Sequence, residues 1–307
     1  MTDNNQPIEA TLLGKRTEYP QHYSPEILVA VPRQLNRNNL KICEQQLPFR
    51  GADAWHAYEI SWLNHRGIPV VGVLKLVYDA SSPCIVESKS LKLYLNSFNM
   101  HRTQACGDNG VTEIQETIRR DLSQTVGAPV SVHIHSHNAY INAPSPFQGY
   151  TVLEELPECQ NITTDTYTED PDVLTSSNTL SPASTSTDSI LEYASHLLRS
   201  NCKITHQPDW GSVFIHFRPG MDGNAPTPDS LLKYIVSLRG ENHFHEEICE
   251  MIYVRLQRIF NPSELCVSCI YTRRGGIDIC PSRASNISLL PSQLLQSEVI
   301  IQKLARQ

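Results

Sequence analysis

A repeat places the tightest constraint on how this chain can fold. Ser90-Leu91-Lys92-Leu93-Tyr94-Leu95-Asn96-Ser97-Phe98 aligns without a gap on Ser230-Leu231-Leu232-Lys233-Tyr234-Ile235-Val236-Ser237-Leu238, sharing Ser, Leu, Tyr and Ser. Each copy leads into apolar residues three and four apart, the helical period, over 111–126 and 246–260. Each of those stretches leads into a strand pattern, at 128–137 and 264–274, and earlier strands are legible in 56–64, 68–79 and 210–218 from aromatic and β-branched alternation. The order strand, strand, helix, helix, strand, strand therefore occurs twice. Strands grouped apart from helices predict an α+β chain, with antiparallel sheets covered on one face by helices.

Between the copies the text changes to Ser, Thr, Asp and Pro, and 156–190 reads as a loop or linker. It separates an N-terminal module, 1–155, from a C-terminal module, 191–307. The 25 basic and 32 acidic residues give a net charge of −7, which lacks the electrostatic footprint of a nucleic-acid binder and favours a small-molecule partner. The start has no basic stretch leading into an apolar core, and no run of about 18 apolar residues occurs, so neither secretion nor membrane insertion is expected. The nine cysteines show no framework spacing, and a cytoplasmic protein with reduced thiols is the expectation.

Several stretches carry reactive side chains. In 200–211, SNCKITHQPDWG, Cys202 has His206 four positions on and Asp209 seven on. A thiolate needs a lowered pKa or an adjacent base, yet a plain buried thiol fits the same residues. An acid near a thiol has a use, because addition of a nucleophile to a polar multiple bond leaves an atom that must be protonated. Cys266 and Cys269 have C-x-x-C spacing but no second pair, and three positions along a strand point them to opposite faces. His133, His135 and His137 alternate with Val132 and Ile134 in the manner of the wet face of a half-buried strand. His243-Phe244-His245-Glu246-Glu247 opens a helix pattern and is not H-E-x-x-H. Glu87-Ser88-Lys89 is either a solvated ion pair or a recognition site for a heterocycle and a phosphate. Arg273-Arg274-Gly275-Gly276 suits phosphate or is a basic turn. There is no G-x-G-x-x-G and no P-loop.

Four motifs in order give these stretches a common meaning: ESKSLKLYLNSFN at 87–99, SNCKITHQPDWGS at 200–212, Phe244-His245-Glu246, and YTRRGG at 271–276. With Val31-Pro32-Arg33, Leu35-Asn36-Arg37 and 59–64 they cover nearly the whole chain. The sequence resembles the NADPH-dependent 7-cyano-7-deazaguanine reductases of queuosine biosynthesis, in their long two-module form. The resemblance implies the tunnelling fold of paired ββααββ-type units. It makes Cys202 the nucleophile and Asp209 the proton donor, and assigns the purine-like base to Val86, Glu87, Ser88, His245 and Glu246. It assigns NADPH to Ser88, Lys89, Arg274 and Gly275, with two NADPH per turnover and no metal. It also implies a homodimer, with the site where two halves meet. The sequence departs from the pattern in the Ser/Thr-rich segment and near 219–226, which read as loop insertions outside the motifs. Two rivals stay open: a cysteine hydrolase or transferase in which His206 activates water, and a purine-binding module without catalysis.

Overall fold

A computed structural model describes residues 20, 22–104, 108–135, 143–178, 190–304 and 307. The first half runs β1 (Ala30–Pro32), α1 (Gln34–Arg37), β2 (Arg50–Leu63), β3 (Pro69–Asp79), β4 (Cys84–Val86), α2 (Ser88–Asn96), α3 (Asp108–Val126) and β5 (Val130–His135). The second runs β6 (Thr151–Val152), β7 (Ser176–Asn178), β8 (Leu191–Ser195), β9 (Arg199–Cys202), β10 (Pro208–Arg218), β11 (Asn224–Pro226), α4 (Pro228–Ser237), β12 (Asn242–His243), α5 (His245–Phe260), β13 (Glu264–Tyr271), β14 (Ile277–Ala284) and α6 (Ser292–Leu295). Among the described residues, no helix is long and apolar enough to cross a membrane. The expected strand at 128–137 is described as 130–135, and His137 lies outside the described residues.

The repeat holds at the level of single hydrogen bonds. Glu87 and Thr227, each three residues before an aligned serine, cap α2 and α4 and accept from the N–H of Ser90 and Ser230. The hydroxyls of Ser90 and Ser230 return to the carbonyls of those caps, at 2.7 and 3.0 Å. Ser97 and Ser237 donate in the same way to the carbonyls of Tyr94 and Tyr234. Leu91 and Leu231, and the two tyrosines, are fully buried. The four shared residue types thus perform the same four local tasks.

The antiparallel sheets of the two halves join into one. Ten strands follow the order β12-β9-β10-β13-β14-β2-β3-β5, with β8 also on β10 and β6 on β8. The seam is β14 on β2, an eight-pair antiparallel register from Ile277 opposite Ala57 to Ala284 opposite Arg50. Alternation along the strands decides the layers. Trp55, Leu74, Leu76, Val213, Ile215, Val267 and Ile279 pack beneath α2, α3, α4 and α5. Ala54, Val77, Phe214, Ile270 and Cys280 point to the other face, under Leu294, Ile301 and Phe147.

That second face is drier than the sequence reading of 133–137 suggested. The C-terminal segment crosses it, and Lys75, fully buried, donates to the carbonyls of Gln293 and Val299 at 2.7 Å each. His135 Nε2 lies 2.8 Å from the Ser297 carbonyl, while His133 stays partly exposed. The described part of 156–190 is likewise tied down. Glu169 pairs with Arg255 of α5 at 2.6 Å, accepts from Tyr234, and its N–H donates to Glu241.

Beneath α5 the halves are bound by buried charge. Arg33 pairs with Asp53 at 2.5 Å, Asp53 with Arg283 at 2.8 Å, Arg283 with Glu250 at 2.9 Å, and Glu250 with Arg37 at 2.8 Å. All five side chains are nearly inaccessible. Removing one partner of such a chain leaves the others buried and unpaired. Glu250→Ala is expected to cost about 3–5 kcal/mol in urea unfolding, because it strands both Arg37 and Arg283. A loss below about 1 kcal/mol would mean that solvent already compensates them.

Candidate active site

Cys202 ends β9, and Asp209 lies at the start of β10. Between them the chain reverses: the Cys202 N–H donates to the Gln207 carbonyl at 2.8 Å, and the His206 N–H donates to the Cys202 carbonyl at 2.9 Å. His206 takes the left-handed conformation (φ 55°), so its place in the motif is that of a turn residue. Its exposed ring sits 2.8 Å from the Asn242 side-chain oxygen, and it is not among the residues lining the pocket. Antiparallel pairing of Asp209 with Ser200 then brings the thiol and the carboxylate, seven positions apart, into one pocket.

Burial alone would push the Cys202 thiol up. The Thr205 hydroxyl and N–H, the Ile204 N–H and the Arg274 guanidinium donate to it and bring it below its ordinary value. Asp209 lies between Arg274 Nη1, paired with it at 2.7 Å, and His245 Nε2 at 3.3 Å. The His245 ring is in turn stacked on the buried Tyr271, with centroids 3.9 Å apart. Arg274 therefore serves the thiol and the carboxylate at once.

The first half supplies the facing wall. β1 pairs with β4 and aligns Val86 at its end, after which Glu87 caps α2 with both oxygens, 3.0 Å from the Lys89 N–H and 2.7 Å from the Ser90 N–H. Glutamate is not a preferred N-cap, and the equivalent position in the second half makes do with Thr227. The capping bonds fix the carboxylate rigidly and leave each oxygen a lone pair for a pocket ligand. Val86, Glu87 and Ser88 line the same pocket as Cys202, so both halves of one chain build it.

Opposite stand His245 and Glu246, the first turn of α5. Glu246 is 4% exposed, and its Oε1 has no hydrogen-bond partner. Burial, reinforced by the negative Asp53 and opposed by Arg33, pushes its carboxyl up to about 8. A buried acceptor without a partner at a pocket wall is a place for a ligand N–H. His243 also lines the pocket, with Nε2 2.9 Å from Glu241 and Nδ1 2.9 Å from Glu247. Burial would lower its pKa, but the two carboxylates raise it.

Of the ten site residues named from the sequence, eight meet here: Val86, Glu87, Ser88, Cys202, Asp209, His245, Glu246 and Arg274. Gly275 lines an adjoining cleft with Gly276, Lys92, Asn96 and Asn99, and Lys89 lines neither. A two-residue hairpin turn explains the split. Gly275 and Gly276, at φ 59° and 80°, join β13 to β14, so successive residues address neighbouring cavities. A side chain at Gly275 would meet the Lys92 ammonium at 3.4 Å and one at Gly276 the Glu59 carboxylate carbon at 2.5 Å. The glycines keep the cleft open beside Lys92, which pairs with Glu59 at 3.3 Å. Of the apolar walls, Ile204 and Phe244 fall inside the quoted motifs, while Trp55, Ile85 and Ile279 carried no motif signal and look like ordinary core positions. On the other face of the sheet, His56, Asp278 and Cys280 lie within metal-ligand reach of one another, but Asp278 is already taken by His56 at 2.7 Å, Tyr58 at 2.6 Å and the Lys303 ammonium at 3.0 Å.

A thiol of lowered pKa beside a paired carboxylate, in one pocket with an unpartnered acceptor, is an arrangement suited to nucleophilic addition. Residues 19–134 match the family described as nitrile reductase, 7-cyano-7-deazaguanine-reductase N-term, and residues 208–287 match that of the QueF-like proteins. The NADPH-dependent 7-cyano-7-deazaguanine reductase of Colwellia psychrerythraea is 40% identical over 91% of this chain and 93% of its own. That of Dechloromonas aromatica is 43% identical over 91% and 92%. A crystal structure of the archaeosine synthase QueF-Like in the apo form covers 34% of this chain and 99% of its own, at 17% identity and a TM-score of 0.29. The chain belongs to the family of NADPH-dependent 7-cyano-7-deazaguanine reductases, oxidoreductases that act on a nitrile.

Glu246 has a signature in stability. An acid whose pKa is raised on folding stabilises the fold below its ordinary value of 4.5 and loses that contribution as pH rises through about 8. Relative to wild type, Glu246→Gln is expected to gain stability progressively between those limits in denaturant titrations. A difference between the two that stays constant with pH would show that Glu246 titrates normally.

Proposed function

We propose that this chain reduces the nitrile of 7-cyano-7-deazaguanine to the aminomethyl group through a thioimide on Cys202, for queuosine synthesis. The observation that carries this reading is the meeting in one pocket of Cys202, its pKa lowered, with Asp209, which Arg274 pairs at 2.7 Å.

The Cys202 sulfur attacks the nitrile carbon, and the thiol proton passes by way of Asp209 to the nitrogen, giving a C(=NH)–S linkage. NADPH supplies a hydride to that carbon twice, from two molecules in turn, and Ser88, Lys89, Arg274 and Gly275 are the residues we assign to holding it. After the first hydride and a proton, the carbon–sulfur bond breaks, the thiol returns to Cys202 and an imine remains. Reduction of the imine consumes a second proton, so nitrile, two hydrides and two protons balance as the amine. His245, 3.3 Å from Asp209, is the donor we assign to reloading it. Glu87 and Glu246 take N–H groups of the deazaguanine edge, which turns the nitrile toward the sulfur. The buried walls, Trp55 and Ile279 among them, keep water from the imine.

Geometry gives the hydrolase reading less support, because His206, the water-activating base it requires, is exposed and engaged with Asn242. Intact-mass spectrometry with the nitrile and no cofactor is expected to give one covalent adduct, absent in Cys202→Ala; an adduct persisting in that variant would sink the assignment. NADPH oxidation is expected at two per nitrile consumed, and consumption of nitrile without NADPH loss would favour the hydrolase. Asp209→Asn is expected to lower kcat by roughly 10²–10⁴-fold, the usual contribution of a positioned proton donor.

We also propose a homodimer. β5 ends the sheet, with no further strand on its outer side among the described residues, an edge that suits self-association.

A further inference from the structure

We propose that Tyr58, on β2 and on neither cavity's lining, is a positioning residue that holds the Arg274 hairpin in place by stacking against Arg273. Three observations converge on it. The register of β2 against β3 shifts between Ala57 and Ile60, an irregularity that re-aims Tyr58 and Glu59 toward the β13–β14 turn. The Tyr58 N–H donates to the Gly276 carbonyl at 2.9 Å, and Glu59 packs against Gly276. The Tyr58 ring lies 3.9 Å from the Arg273 guanidinium carbon, with the Lys303 ammonium 5.6 Å away on the same ring.

The arrangement is braced from both sides. The Tyr58 hydroxyl donates to Asp278 at 2.6 Å, and Asp278 is fixed by His56 and Lys303. Beyond the ring, Arg273 Nη2 donates to the Gln307 carbonyl, and the Gln307 side chain returns to the Tyr271 carbonyl. Arg273 is exposed, so its charge is weakly felt, but its planar stack gives the hairpin one orientation. The next residue, Arg274, then reaches Asp209 and the Cys202 sulfur from a fixed base. With Gly275 and Gly276 both at positive φ, the turn has no side chains of its own to hold it. Its placement is supplied from outside, by Tyr58 and the C-terminal segment.

The test reads the thiol itself and does not depend on the reaction assigned to the pocket. Peptide-resolved mass spectrometry follows alkylation of Cys202 by iodoacetamide as a function of pH in the full chain. Cys202 shares its pocket with His243 from β12, Asp209 from β10, and His245 and Glu246 from α5, with Lys203 on its own loop and Glu87 opposite. All stay intact in the variants, so a shift reports Arg274. Tyr58→Leu and Arg273→Met are each expected to lower the alkylation rate below the midpoint by roughly threefold, as one donor to the thiolate is misplaced. Arg274→Met sets the upper limit of the effect. Tyr58→Phe, which keeps the ring, is expected to restore the wild-type profile. Wild-type profiles in folded Tyr58→Leu and Arg273→Met would overturn the proposal, and so would a Tyr58→Phe profile as shifted as that of Tyr58→Leu. Should Tyr58→Leu not fold, the surface variant Arg273→Met decides alone.

Discussion

The chain of buried ions Arg33, Asp53, Arg283, Glu250 and Arg37 is the interaction on which the arrangement depends. Three of its members come from the first half and two from the second, so it crosses the boundary between the copies of the repeat. Backbone pairing of β14 with β2 joins the halves without fixing which side chains meet above the seam. The ions do fix it, since an Arg displaced by one position would be buried without a partner, at a cost of several kcal/mol. Their value is specificity of register more than net stability. Arg33 follows β1, Arg37 ends α1, and Glu250 lies one turn beyond Glu246 on α5, so the same contacts set the distance between Glu87 and Glu246. They also act on the site electrically. Asp53 raises the pKa of Glu246 and Arg33 moderates that rise, so the free acceptor at the pocket wall inherits its character from the ions beneath it.

Duplication followed by divergence accounts for how the labour is divided. The cap before α2 and the cap before α4 do the same structural work, but only the first is a glutamate whose carboxyl also lines the pocket. Similarly, α3 and α5 occupy equivalent places, and only α5 opens with His245 and Glu246. Each copy kept the residues its helix needs and specialised those at the helix start. Helix starts are where the backbone offers unpaired N–H groups and a rigid origin for side chains, so chemistry gathers there without disturbing the packed face.

Much of this was readable in the chain because the informative signals are local. Period and alternation gave the helices at 111–126 and 246–260 and the long strands, since each depends only on neighbours along the sequence. The motifs named eight residues that meet in one pocket, and His206, which only a rival reading used as a base, sits four positions from Cys202 as a turn residue. What was not readable depends on distant partners. Nothing in 277–284 announces that it pairs with 50–57. Lys75 looks like a solvated strand residue until a segment more than two hundred positions away covers it. Trp55 and Ile279 are apolar like any core residue, and only the pocket they face makes them part of the site. Part of the Ser/Thr-rich segment reads as a free loop by composition, yet Glu169 ties it to Arg255 and, through Glu241, to His243 at the pocket.

The sharing of Arg274 bears on the order of events in such a site. A guanidinium that donates to a thiolate and to a carboxylate stabilises two anions at once, but the two compete for the same positive charge. In the proposed thioimide a sulfur bonded to carbon is no longer an anion, and Arg274 is left to Asp209 alone. In the same proposed scheme, breaking of the carbon–sulfur bond frees the sulfur, and Arg274 is again shared between the two groups. On the chemistry proposed for this pocket, a single arginine, fixed between two glycines and a stacked neighbour, links the charge on Asp209 to the covalent state of Cys202.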